Sequence, residues 1–76
     1  MSPKLPVVTG KEAARVAQRL GFEVRRQRGS HAVYVRPSDG SRVVIPMHAG
    51  TELKRKTLRG IIEDMKTTVE EFAKLL

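Results

Sequence analysis

The sequence predicts one small α+β domain: a helix, three antiparallel strands, a second helix and a short terminal helix. Three observations predict it. A capping box opens an amphipathic stretch near the start. Three short runs of strand-forming residues follow, divided by Gly-Ser and Asp-Gly. Two later stretches repeat apolar residues at helical spacing. The 76 residues allow one domain, 1–76, and a core of that size is marginal because little of the unfolded surface can be buried.

Taken in order, Thr9 and Glu12 form the capping box, and Ala13, Val16, Ala17 and Leu20 repeat on one face, so a helix is expected over residues 10–20. Gly21 suits its C-terminal cap. "FEVRRQR" (22–28) reads as a strand with weak alternation, and "HAVYVR" (31–36) as a stronger one that ends at Pro37. "PSDGS" (37–41) is a turn by composition. "RVVIPM" (42–47) is the third strand, with Pro46 at an edge or strand end because it cannot donate to a ladder. Thr51 is expected to cap a helix beginning "ELKRKTLRG", with Leu58, Ile61, Ile62 and Met65 as its apolar stripe; close packing on the sheet is one reason for Gly60 inside it. Thr68 and Glu71 form a second capping box, ahead of a short helix striped by Val69, Phe72, Ala73 and Leu76.

Charge narrows the class of partner. Fifteen Lys and Arg stand against eight Asp and Glu, a formal net charge of +7. Residues 63–76 hold four acids and two bases, so the first 62 residues carry thirteen bases against four acids, a net of +9. A basic body of this kind attracts polyanions, nucleic acid above all. There is no cysteine, which excludes disulfides and thiolate metal sites. The opening "MSPKLPVVTG" lacks the apolar run of a signal peptide, and no later stretch approaches the length of a membrane span, so a cytoplasmic protein without membrane contact is expected.

The residues that can do chemistry are few. His31 lies in "RRQRGSHAVYVR", behind Arg25, Arg26 and Arg28. Gly29 allows unusual backbone angles and close approach of another chain, and Ser30 can hydrogen-bond a phosphate or its own backbone. Imidazole takes and gives protons near neutral pH. These are the parts that strand cleavage by a ribose 2′-hydroxyl requires: a base for the hydroxyl proton, cations for the charge on phosphorus, and an acid for the leaving oxygen. His48, in "IPMHAGTEL", is placed between the third strand and the second helix, as an acid partner, a phosphate contact at the helix start, or a loop histidine holding a backbone group. Lys54, Arg55 and Lys56 with Arg59 form a second basic cluster where cations oppose the helix dipole, a local cost that suggests phosphate binding. With Arg36 they complete the expected RNA-contacting set. Two histidines without cysteine or clustered carboxylates make a poor metal set, so neither metal nor cofactor is expected. Aromatic residues are too few for a base-stacking platform, and contacts to the nucleic-acid backbone should dominate.

Three stretches, "GFEVRRQRGSHAVYVRP", "VVIPMHAGTELKRKTLRGII" and "TVEEF", resemble the HicA-type toxins, also called YcfA-like mRNA interferases, over about residues 10–73. Gly-Ser-His and Pro-x-His at this separation in a small basic protein carry the likeness together. The resemblance implies a fold like a double-stranded-RNA-binding domain. It implies a toxin that cleaves messenger RNA, inhibits translation and growth in a stress response, and is neutralised by a HicB-type antitoxin. It also implies that His31, supported by Gly29 and Ser30, is catalytic, with His48 as a possible second histidine. The chain departs from the family pattern twice. Ala32 follows His31 where a larger residue is common, which bears on substrate fit or activity. "EDMKTTVEEF" replaces a more usual glycine-containing loop, which bears on the connection only.

Read from residues alone, two other functions stay open. A non-catalytic module binding duplex RNA by shape would leave both histidines dispensable. A protein-interaction domain would set the basic body against an acidic partner, though no large apolar patch is evident to anchor it.

Overall fold

The computed structural model describes residues 4–76; residues 1–3 of the expected domain 1–76 lie outside the described residues. The element order is α1 (Gly10–Arg19), β1 (Glu23–Arg28), β2 (His31–Arg36), β3 (Ser41–Pro46), α2 (Arg55–Asp64) and α3 (Val69–Lys74). The strands form one antiparallel sheet in the order β1-β2-β3. This is the expected α-β-β-β-α arrangement with a terminal helix, consistent with a double-stranded-RNA-binding-domain-like fold.

Local chemistry explains the α1 boundaries. Thr9 Oγ1 accepts from the Glu12 N–H at 3.3 Å, and Glu12 Oε1 accepts from the Thr9 N–H at 2.8 Å. At the other end Gly21 adopts φ +92°, the Gly21 N–H donates to Gln18 O and the Phe22 N–H to Ala17 O. That paired closure is a Schellman motif, which requires the left-handed residue that glycine supplies. It turns the chain so that Phe22 enters the core.

The sheet has one covered and one open face. Ala32 and Tyr34 pair with Ile45 and Val43, and all four are buried beneath the helices with Val16, Ala17, Leu58, Ile61, Met65 and Phe72. The alternate residues pair as His31 with Pro46, Val33 with Val44, and Val35 with Arg42 on the open face. Every residue of β1 is exposed, because this edge strand lies beyond the helices. That accounts for its weak alternation: a strand wet on both faces has no apolar face to repeat.

Three expectations are corrected. Thr51 does not cap α2. The helix starts at Arg55 with Lys54 in the cap position and no side-chain cap. The reason is upstream pairing: Glu52 bridges Thr9, and the Leu53 N–H donates to Val8 O at 2.8 Å, so residues 52–53 are extended and helical geometry cannot begin until after them. Gly60 is not a close-packing position, since a Cβ there meets nothing within 4 Å. In α3, Ala73 and Leu76 are exposed; Phe72 is buried, with Val69 and Leu75 packed beside it, because the helix stops at Lys74. The connection before α3 also carries a substitute for glycine. Lys66 adopts φ +59° while its N–H donates to Glu63 O and the Thr67 N–H to Ile62 O, a second Schellman closure built on lysine.

Two stability predictions arise here. Gly60→Ala should stabilise the protein by about 1 kcal/mol, the helix-interior difference between the two residues, and raise Tm by roughly 4–8 °C for a domain of this size. Thermal melting checks both. The second concerns the β2–β3 turn, where the Arg36 guanidinium holds the Asp39 carboxylate well below the usual carboxylate range, aided by the Ser41 backbone N–H and hydroxyl. A carboxylate depressed in the folded state stabilises above its unfolded pKa of about 3.9 and loses that contribution as pH falls through the folded value. The Tm gap between wild type and Asp39→Asn should therefore hold from pH 7 to about pH 4 and close only in stronger acid.

Candidate functional site

Gly29 and Ser30 form a two-residue hairpin loop between Arg28 and His31. Gly29 takes φ +54° and Ser30 does not take positive φ, the glycine-first pattern of a type II′ turn. The loop ends the sheet at His31, which is exposed as the first residue of β2. Ser30 Oγ lies 3.5 Å from His31 Nδ1.

The β2–β3 pairing sets His31 opposite Pro46. One more backbone bond, from the Met47 N–H to Ser30 O, carries the ladder past the end of β3. His48 follows at once and is exposed. The His31 and His48 ring centroids are 6.5 Å apart with the planes at 75°. Both rings line a cavity of about 290 Å³ closed by Pro46, the 51–53 segment, and Lys54 and Thr57 from the start of α2. His48 also lines a second depression, of about 520 Å³, with Lys11 and Gln27.

A β-bulge decides where the first arginine cluster faces. The β1–β2 register shifts between Val24 and Arg26, so that Arg26 pairs with Val33 and Arg28 with His31. Paired residues share a face. The one-residue shift therefore sets Arg26 and Arg28 on the open face with His31 rather than on the helix side. Arg25 occupies the bulge and is exposed. From the other side Lys54 enters the cavity, and Arg55 and Lys56 are exposed on the first turn of α2, which holds no acid. Like charge and the unopposed dipole there both favour an incoming anion.

Two expected contacts lie elsewhere. Arg36 is at the far end of β2, chelated by Asp39 at 3.0 and 2.8 Å, bonded to Leu20 O at 3.3 Å, and stacked 4.8 Å over the Phe22 ring. Its donors are engaged within the chain, and it is not brought to the cavity. Arg59 lines a separate depression beside Glu63 and Glu70. Ala32 is fully buried opposite Ile45, on the helix side of the sheet, so its small size answers to core packing and not to the cavity. Sequence reasoning missed Lys11, Glu52 and Thr57. Thr57 alone had a signal, three residues beyond Lys54 at the spacing that aligns helix side chains. Among the described residues no group of three or more metal-ligating side chains is clustered, and no helix is long and apolar enough to cross a membrane.

The arrangement thus offers an anion two imidazoles in one cleft, with cations on both flanks. No curated protein matches the chain at a significant level. The model of a family described as the HicA toxin of bacterial toxin–antitoxin systems matches residues 10–67, from the first turn of α1 to just past α2. The chain belongs to the HicA toxins of bacterial toxin–antitoxin systems, and a cognate antitoxin follows as its partner.

Proposed function

We propose that this toxin is a cytoplasmic endoribonuclease that cleaves messenger RNA and so stops translation and growth. The observation that carries the reading is the exposed His31 imidazole in a cleft flanked by cations from two distant parts of the chain. His31 moves a proton at the reacting phosphodiester. Arg25, Arg26 and Arg28 on one side, and Lys54, Arg55 and Lys56 on the other, hold the RNA backbone. The ribose 2′-hydroxyl supplies the nucleophile, and this chemistry asks nothing of a metal. The antitoxin is of the HicB type and covers this cleft with acidic groups, because charge complementarity is the direct way to silence a strongly basic face.

The test is cleavage of a single-stranded RNA by the purified full chain in the presence of EDTA, beside DNA of the same sequence. RNA should be cut, leaving a 2′,3′-cyclic phosphate and a 5′-hydroxyl, and DNA should remain whole. Binding of duplex RNA without cleavage would instead support a non-catalytic module that reads shape.

A further inference from the structure

We infer that His48 is the proton donor to the leaving oxygen in this reaction, acting opposite His31 on one phosphodiester. The inference rests on the endoribonuclease reading and divides its two proton transfers between the two rings.

Backbone pairing, not side-chain reach, sets the separation. His31 opens β2 and His48 leaves β3, and the Met47 N–H bond to Ser30 O ties the two chain segments together just beyond the last strand pair. A centroid distance of 6.5 Å is too long for the rings to hydrogen-bond each other. It is short enough for one phosphate, sitting against the cavity side of both rings, to bond to each over about 2.6–3.2 Å. A loop histidine kept for structure would hold a neighbouring group. Among the described residues no side-chain hydrogen bond reaches the His48 ring. The ring instead borders both depressions, one with Lys54 and one with Lys11. A strand running from one to the other passes it.

In this assignment His31 is the base, and Ser30 Oγ, 3.5 Å from Nδ1, is the neighbour available to orient its ring. His31 takes the 2′-hydroxyl proton as the 2′ oxygen bonds to phosphorus. The phosphorus–O5′ bond breaks and its electron pair leaves on O5′. His48, entering as imidazolium, protonates that oxygen. His31 ends with one proton more and His48 with one fewer, and the products are the cyclic phosphate and the 5′-hydroxyl.

The experiment compares wild type, His31→Ala, His48→Ala and His48→Gln on ordinary RNA and on RNA whose scissile 5′ oxygen is replaced by sulfur. A thiolate leaves without protonation. Both His48 variants should cut ordinary RNA about 10²- to 10³-fold more slowly and the sulfur-linked RNA at close to the wild-type rate, whereas His31→Ala should be slow on both. Equal melting temperatures exclude loss of fold. Wild-type rates for the His48 variants on ordinary RNA would overturn the inference and leave the endoribonuclease reading standing. Equal losses on both substrates would overturn it too, making His48 a binding group. No cleavage by the wild-type protein would overturn the underlying reading first.

Discussion

Replacing His31 by alanine is expected to slow RNA cleavage by about 10²- to 10⁴-fold, the usual worth of a placed proton-transfer group, and to abolish growth arrest on expression. The fold should not register the change. His31 is exposed and lies outside the apolar core, and its one side-chain hydrogen-bond partner among the described residues, Ser30 Oγ, is at the limit of hydrogen bonding. An exposed substitution of this kind shifts stability by no more than about 0.5 kcal/mol. RNA affinity should also survive, since the flanking cations carry it and its dependence on salt. Cleavage assays, thermal melts and gel shifts on the same preparation give the three readouts. Equal toxicity and equal RNA decay in wild type and variant would remove His31 from the chemistry.

Gly10→Ala should have the largest effect on stability. Gly10 is the buried first residue of α1. A Cβ there lands on the Pro46 carbonyl oxygen, and it comes within 3.2 Å of the Met47 Cα. Both obstacles are backbone, so no side-chain rotation relieves them. Overpacking of this type costs about 1–3 kcal/mol and occasionally more. The same substitution at Gly60 has the opposite sign, because nothing occupies the space there. Denaturant midpoints for the two variants should move in opposite directions. Gly10→Ala should also reduce cleavage more than its stability loss explains, since Met47 leads directly into His48 and a shifted 46–47 backbone carries that ring away from His31.

These two sites differ in how far they were legible beforehand. His31 was marked by its own neighbourhood, with Gly29 at a turn and arginines close by in sequence. Gly10 carried no such local mark, because the carbonyl it meets belongs to a residue at the end of β3. Arg36 shows the reverse case. Counted as one more cation it joined the RNA contacts, yet an acid three residues on, within the turn, was a local sign that its charge was already matched.

The sequence by itself determined the elements and their order, the caps on α1 and α3, the glycine turns, the strongly basic body, and the two histidines worth weighing. These follow from interactions within a few residues, where propensity, periodicity and charge act directly. Only the tertiary structure decided what those parts do together. The bulge in β1 set Arg26 and Arg28 on the face of His31. The bridge from Glu52 to Thr9 delayed α2, and the cavity formed against its first turn. The ladder end brought His48 within 6.5 Å of His31. Each depends on pairing between segments far apart in the chain. Register changes which face a residue occupies without changing any residue's identity, so local sequence carries no record of it.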